Sequence, residues 1–429
     1  MTQLFGDVTL GADYAWLRLE VDDQLIVSVT GEGHGTGDLA RDVRGLTLFE
    51  AAATPGEGLA VEALHAAIGQ FVHAPSSEGR TAVAMSGGVD SAMALHSALE
   101  SGHDAVGVTL RLWVDPRAPD TERACCSPTS VRAARDLCHA RGVPHITLDL
   151  REAFRKAVVD PFVTGYTSGV TPNPCVRCNA DFRFAELDQF ARRIGASRLA
   201  TGHYARIVER DGMKLLARGR DETKDQSYML AGLTPAEIER LWFPLGDTLK
   251  RNNREHAEQV GLSAARKPES QEACFLGGAD YRDFLERYGV GQKPGSLVDE
   301  AGHEVGRHEG FWRFTPGQRR GLGLGGGGKA LYVLGTDART GTVRVGARES
   351  LACRRVSCDR GVLHTADLRG DAKLRYRSPA VAAAVTRRGG GFDLELDEPV
   401  EGVAPGQLAV IYVADAVVGS GIIAESHRA

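Results

Sequence analysis

The stretch Ala84-Met-Ser-Gly-Gly-Val-Asp-Ser91 constrains this chain most, because it joins an apolar run, Thr81 to Met85, directly to a helix-compatible run, Ala92 to Glu100. A strand, a Ser/Gly turn and a helix start make a cradle for anionic phosphate: backbone N–H groups point outward and the helix dipole favours negative charge. No G-x-x-x-x-G-K-S/T lies nearby, so the loop lacks the lysine that holds terminal phosphates in kinases and GTPases. Terminal phosphoryl transfer is therefore the weaker reading. Two serines, two glycines and Asp90 suit a pyrophosphate held by hydroxyls and amides, with the carboxylate on Mg2+, and ATP is the expected ligand.

From Thr81 to Gly202 apolar runs of strand and helix character alternate: strand 81–85, helix 92–100, strand 105–112, helix 128–141, strand 145–149, helix from Arg151, a loop, helix 184–194 and strand 198–201. That order predicts an α/β fold with a doubly wound parallel sheet, whose ligand crevice lies beyond the carboxyl ends of the strands. Thr201-Gly-His-Tyr204 follows the last strand and should bring Gly202 and His203 to the same crevice, although a lone histidine is more often structural.

Other units flank this one. In residues 1–79, Leu17 to Val29 alternates as a strand pair turning at Asp22-Asp23, and Leu59, Leu64, Ile68 and Phe71 have helical spacing, which predicts a small N-terminal α+β module. Residues 80–278 form the predicted catalytic domain, within which 240–265 reads as helical, polar and surface-facing. Beyond about 280 the chain turns to Gly-punctuated apolar runs (296–298, 331–334, 342–345, 380–385, 392–396, 408–413), so two small β-rich domains are expected, 279–352 and 353–429. Arg319 to Lys329, with its four consecutive glycines, reads as a basic-edged loop.

With 429 residues, 42% hydrophobic and 25% charged, the chain has the composition of an ordinary folded protein, and no stretch approaches the roughly 18 apolar residues of a membrane span. The cytoplasm is the expected compartment, and the eight irregularly spaced cysteines are expected as reduced thiols rather than a disulfide framework. The net charge of −5 hides an asymmetry: residues 1–80 carry 4 Lys/Arg against 12 Asp/Glu, whereas 282–388 carry 20 against 11. A locally basic segment suits a polyanion held in one place, although charge alone serves a solvated face equally well.

Three further stretches carry candidate chemistry. Thr171-Pro-Asn-Pro-Cys-Val-Arg-Cys-Asn179 has two prolines, so it is expected as a stiff loop displaying Asn173, Cys175 and Cys178. A thiolate in this stretch, between Arg177, Arg183 and helix starts, would have the lowered pKa a nucleophile needs. Cys-x-x-Cys is also half a zinc site, but Cys353-x4-Cys358 is a poorly spaced second half. Lys224-Asp-Gln226 combines a cation, a carboxylate and an amide, groups able to hold a phosphate and a uracil edge, or simply a charged turn. Cys274 precedes Gly277-Gly278 in an apolar context, where packing is the ordinary role of a cysteine.

The loop itself resembles the signature of the PP-loop ATP pyrophosphatases, which cleave ATP between the α and β phosphates and adenylate a substrate. Taken in order, Ser86–Ser91, Asn173-Pro-Cys-Val-Arg-Cys178, Thr201-Gly-His-Tyr204, Lys224–Gln226, Cys274-Phe-Leu-Gly277, Thr315-Pro-Gly-Gln-Arg-Arg-Gly-Leu322 and Arg375-Tyr-Arg377 resemble the tRNA-specific 2-thiouridylase family over about residues 81–425. The resemblance implies ATP-dependent replacement of the C2 oxygen of wobble uridine 34 of tRNA by sulfur, with the anticodon stem-loop and a persulfide or sulfide donor protein as partners. It implies nucleotide contacts at Ala84, Met85, Ser86, Gly87, Gly88, Val89, Asp90, Ser91, Leu110 and Gly202. It matches Cys178 to the nucleophile and Cys274 to the persulfide-carrying cysteine. Asn173, Pro174, Cys175, Lys224, Asp225, Gln226, Arg375 and Tyr376 match tRNA contacts. Many relatives have Asp where this chain has Cys175; Cys175, Cys178 and Cys274 could instead hold three irons of a 4Fe-4S cluster, and the two mechanisms stay open. Residues 1–79 lie outside the resemblance and look faintly like an iron–sulfur scaffold, but without its cysteines. A PP-loop ligase amidating a small molecule is the rival; it leaves Cys178 and Cys274 without a task.

Overall fold

The computed structural model describes residues 1–10, 12–56, 58–121, 127–262, 264, 273–324, 330–365 and 369–428. The chain opens with an antiparallel meander, β1 (Thr2–Leu10), β2 (Asp13–Asp22) and β3 (Leu25–Gly33). The β2–β3 turn places Asp23 and Gln24 at φ 44° and 72°, the left-handed geometry that matches strand twist in a tight hairpin. Helices α1 (Thr36–Val43), α2 (Leu48–Ala51) and α3 (Leu59–Ile68) follow, and the inward residues Leu4, Leu17, Leu19, Leu64 and Ile68 are buried together.

This module is built into the rest of the chain. His145 N–H donates to the Ala52 carbonyl (3.0 Å), the Gln70 side chain to the Asp149 carbonyl (3.2 Å), and Arg132 pairs with Glu62 (2.6 Å). At the seam the rings of His65 and His139 lie 5.7 Å apart and those of His65 and His145 6.2 Å apart. Burial pushes His65 down to about 3, burial pushes His145 well below the usual histidine range, and His139 is lowered by the same cause. In the unfolded chain these rings titrate near 6.5, so on acidification the unfolded state takes up protons first. The stability contributed by the neutral rings is complete above about 6.5 and is lost as pH falls from there towards 3. At pH 5 His65 alone should cost roughly 2 kcal/mol. Urea midpoints at pH 7.5 and 5.0 should therefore differ, and His65→Gln should shrink the difference.

The central layer is a five-stranded parallel sheet. Its elements are β4 (Ser77–Ala84), α4 (Val89–Glu100), β5 (Asp104–Arg111), α5 (Pro128–His139), β6 (His145–Asp149), α6 (Arg151–Phe154), α7 (Asp160–Thr167), α8 (Pro174–Cys178), α9 (Phe184–Arg193) and β7 (Ala196–Ala200). Residues 105–110 of β5 are all buried, as expected of a strand covered on both faces. The chain then leaves the sheet for a hairpin, β8 (Ala205–Arg210) and β9 (Met213–Arg218), passes through α10 (Ser227–Leu230) and α11 (Pro235–Ile238), and returns as β10 (Leu241–Trp242) before α12 (Lys250–Gln259). Strand order is β10-β7-β4-β5-β6. The chain winds one way from β4 to β6 and the other way through β7 and β10, so the switch point lies between β4 and β7, where the Ser86 loop and Thr201-Gly-His-Tyr204 both open.

Three expectations are corrected. Residues 240–265 are not uniformly helical, because Leu241-Trp242 forms the edge strand, and the helix beginning at Lys250 is not wholly at the surface: Lys250 is 8% exposed. The Thr171–Asn179 stretch is a loop only as far as Asn173 and is helical from Pro174. Pro174 occupies the first helical position, where its missing N–H costs nothing, and the Asn173 side chain caps by accepting from Val176 N–H (3.2 Å). From Pro174 the helix runs through a π-helical turn, Asn179–Arg183, into α9. Finally, the β-rich part is not confined to the C-terminal third, since β8 and β9 extend the last sheet.

After α13 (Tyr281–Arg287), strands β11 (Gly295–Val298), β12 (Glu304–His308), β13 (Tyr332–Asp337) and β14 (Thr342–Gly346) form a four-stranded sheet in the order β12-β11-β14-β13, with Leu297, Phe311, Trp312, Val333, Val343 and Val345 buried. Residues 325–329 of the Arg319–Lys329 stretch lie outside the described residues. Strands β15 (Ala352–Leu363), β16 (Arg369–Lys373), β17 (Val381–Arg388), β18 (Gly391–Glu401), β19 (Leu408–Val413) and β20 (Ala416–Arg428) close into a barrel through β15–β20 pairing, filled by Val356, Phe392, Leu394, Ile411 and Val418. Among the described residues no helix is long and apolar enough to cross a membrane.

Candidate active site

A crevice of about 190 Å³ opens at the switch point, lined by Ala84, Met85, Ser86, Asp90, Ser91, Val108, Leu110, Leu112, Arg183, Leu187, Thr201, Gly202, His203 and Gln226. Most of the expected nucleotide contacts are among these, whereas Gly87, Gly88 and Val89 shape the loop from behind. Ser91 Oγ organises it, accepting from Ser86 N–H (3.1 Å) and donating to the Gly88 carbonyl (2.9 Å). Gly87 has φ 69°, and a Cβ there would run into the Ser130 carbonyl. The loop therefore needs glycine for conformation and for close approach alike.

The cation missing from the loop arrives from elsewhere. Lys250, at the start of α12, places Nζ 2.5 Å from both carboxylate oxygens of Asp90, and the Tyr204 hydroxyl donates to Asp90 Oδ1 (3.1 Å). Arg183 supplies a second cation in the lining. No local pattern marks Lys250: it is 160 residues from Asp90 at the head of a very polar helix. The one usable signal is a lysine after the apolar stretch 241–245.

His203 accepts or donates at Thr201 Oγ1 (2.8 Å) and packs against Phe184 (5.7 Å). Burial, with the nearby Arg183 charge, lowers it to about 3, so it meets a ligand as neutral imidazole. Gly202 abuts the next layer: a Cβ there would lie 2.5 Å from the Asp90 carbonyl carbon. Gly202→Ala should therefore push Asp90 out of position, weakening ATP binding at least about tenfold with the global melting temperature little changed, as read by calorimetric titration.

Of the remaining predicted residues, Gln226 lines this crevice. Gln226 Oε1 accepts from Tyr204 N–H (2.9 Å), while the Asp225 carboxylate accepts from Gly219 N–H (3.0 Å), Ser227 N–H (3.0 Å) and Ser227 Oγ (2.9 Å). Asp225 thus shapes the turn, and Tyr376 reaches its carbonyl (3.5 Å). Lys373 stacks over Tyr376 (5.9 Å), and Arg375 donates to the Pro316 carbonyl (2.9 Å), tying the last barrel to Thr315-Pro-Gly-Gln318. The segment before α8 is clamped to the same barrel by Thr171 N–H to Pro405 O (3.0 Å) and Gln407 Nε2 to Thr171 O (2.8 Å).

Cys175 and Cys178 lie three residues apart on α8, hence on one face; Cys175 is half-buried and Cys178 is 6% exposed. The helix starts at Pro174, so its field acts on Cys175 more than on Cys178, which precedes the π turn. π turns are frequent at functional sites. Cys274 opens a 3₁₀ turn, Cys274–Leu276, held by Asp115 N–H to Phe275 O (3.0 Å) and Asp120 N–H to Gly277 O (3.1 Å). Asp115 is fully buried and paired with Arg287 (2.7 Å). Phe275 packs on Phe154 (6.3 Å), which packs on Phe182, one turn beyond Cys178 (5.6 Å), so one aromatic cluster carries both cysteine segments. Cys353 and Cys358 are buried in β15, where burial raises both thiols, Cys358 to about 12; among the described residues no set of cysteines draws together as a zinc site.

A Ser/Gly loop at the switch point of a parallel sheet, with a carboxylate, two cations and nearby thiols, defines a PP-loop α/β enzyme carrying β-barrel appendages. Residues 79–278 match the tRNA methyl transferase HUP domain, 282–347 the tRNA methyl transferase PRC-barrel domain and 350–423 the aminomethyltransferase beta-barrel domain. The chain is 44% identical over 349 residues to the tRNA-specific 2-thiouridylase MnmA of Syntrophotalea carbinolica, covering 80% of this chain and 97% of that protein. It is 42% identical over 367 residues to the enzyme of the same name from Sorangium cellulosum, covering 82% and 94%. The chain belongs to the tRNA-specific 2-thiouridylase family.

Proposed function

We propose that this enzyme, an ATP-dependent tRNA 2-thiolase, acts on wobble uridine 34 and draws its sulfur from a cysteine persulfide. The observation that carries the reading is that Leu110, Leu112 and Leu187, which line the nucleotide crevice, belong to the same core as Cys178 and Phe275. A carbonyl oxygen is a poor leaving group. The uridine C2 oxygen attacks the α-phosphorus of ATP, pyrophosphate leaves, and an O-adenylated pyrimidine forms. Ser86, Ser91 and the loop amides hold the departing pyrophosphate, Asp90 would hold Mg2+, and Lys250 and Arg183 offset the negative charge.

Cys274 accepts the outer sulfur of a persulfide from a donor protein. The Cys178 thiolate then attacks the Cys274 sulfur, a disulfide forms, and the terminal sulfur leaves as hydrosulfide, which adds to C2 and expels AMP. The transferred sulfur is reduced as the two cysteines are oxidised, so each turnover consumes a dithiol reductant. Asn173, Pro174, Cys175, Lys224, Gln226, Arg375 and Tyr376 contact the splayed anticodon bases and their phosphates, with Asp225 holding the turn. The cytoplasm is the compartment that supplies ATP, tRNA and reduced thiols.

The donor set supports a second arrangement. In it Cys175 and Cys178, which share one helix face, and Cys274 would hold three irons of a 4Fe-4S cluster. Such a cluster would supply an open iron for hydrosulfide. The discriminating variant is Cys175→Asp, which leaves thiolation intact if the persulfide operates and abolishes it if a cluster does. Incubation of unmodified tRNA with protein, ATP, Mg2+, a persulfide donor and a dithiol should give 2-thiouridine by nucleoside mass spectrometry. Cys274→Ala should still consume ATP on tRNA without thiolating it. Absence of 2-thiouridine with wild type would contradict the proposal.

A further inference from the structure

Helices α4 and α12 lie side by side, and their first turns carry the two halves of the loop's ion pair, Asp90 and Lys250. Six residues further along each helix stand His96 and His256, about 9 Å up the axis. Their rings meet edge to face at 5.2 Å and 80°. Glu100, one turn beyond His96 on the same face, brings Oε1 to 3.3 Å from His96 Nε2. That nitrogen is buried yet makes no hydrogen bond, because the carboxylate approaches it off axis. Each of the three residues offers a ligand atom within 4.8 Å of the other two. Among the described residues this is the one such convergence of histidine, cysteine and carboxylate groups.

We propose that His96, Glu100 and His256 form a binding site for a borderline divalent transition-metal ion such as Zn2+, bridging α4 to α12. Two imidazoles and one carboxylate are the ligand types such ions take, whereas Mg2+ prefers oxygen alone. Ligand atoms around tetrahedral Zn2+ lie about 3.5 Å apart, so only a small adjustment closes the set. Glu100 can supply it, since its side chain is 61% exposed. The fourth position is left to water. Bound there, the ion would fasten together the two helices whose ends position Asp90 and Lys250, at a place separate from the nucleotide crevice.

Chelator-stripped full-length protein, titrated with Co2+ and then Zn2+ in excess Mg2+, tests this. Wild type should bind Co2+ with visible d–d bands but without thiolate charge transfer, should release it to Zn2+, and should melt at higher temperature with Zn2+. His256→Gln and Glu100→Gln should each weaken this binding at least tenfold and lose the thermal shift, while thiolating tRNA normally without added transition metal. His96→Gln should behave alike. Unchanged binding in these variants, or spectra showing thiolate ligation alone, would overturn the proposal and leave the two histidines as a plain ring contact.

Discussion

Replacing Cys178 by alanine is expected to abolish 2-thiouridine formation, by on the order of 10³-fold or more, with ATP binding retained. Cys178 is 6% exposed, at the junction of α8 with the π turn. Removing one sulfur there leaves a small cavity, which should cost about 1 kcal/mol. Loss of activity would therefore be chemical rather than structural. In the proposed sequence the alanine variant can still adenylate tRNA and can still load a persulfide on Cys274, but nothing releases its terminal sulfur. The variant should accumulate persulfidated protein, seen as a 32 Da increment (about one sulfur) by intact mass, where wild type accumulates the disulfide in the absence of reductant. Undiminished thiolation by Cys178→Ala would remove Cys178 from the mechanism.

Replacing Lys250 by methionine should lower kcat/KM for ATP about 10²-fold, which corresponds to about 2.7 kcal/mol. Lys250 is nearly buried, and its ammonium lies 2.5 Å from both oxygens of Asp90. Breaking a fully buried pair costs about 3–5 kcal/mol, but the Asp90 side chain is 34% exposed and water recovers part of that, so a stability loss of about 1–2 kcal/mol is expected. The larger effect falls on catalysis, because the carboxylate loses its anchor and the crevice loses a cation. Arginine should not rescue, since its wide planar fork does not fit a point-charge site. Pyrophosphate release at varied ATP gives the readout, and an unchanged ATP dependence would show that Lys250 only holds the fold.

Residues 84–91 were readable because everything that builds the cradle is local: strand, turn and helix all lie within Ser77–Glu100, and the switch-point geometry follows from the order of strands and helices. Gly202 was readable from its place directly after a strand of the same sheet, although the reason it must be small, its packing on the Asp90 backbone, is tertiary. Lys250 was not readable, since its partner is set by tertiary packing and its own helix is strongly polar in sequence. The α8 helix was masked by its prolines: the rule against proline in helices fails at the first position, and Asn173 before Pro174 is the capping signal that marks the exception. The β8–β9 hairpin is marked locally by Asp211-Gly212, both at positive φ in its turn, whereas its junction with the barrel, the Ala217–Ala416 pair, spans some 200 residues.

The central claim is that the loop activates the uridine C2 oxygen so that sulfur can displace it. The most direct measurement uses tRNA carrying oxygen-18 at C2 of the target uridine, converted by the enzyme with ATP, Mg2+ and a persulfide donor. One label should appear in each AMP, in step with 2-thiouridine, and none in pyrophosphate. Label released to water, with unlabelled AMP, would contradict that claim.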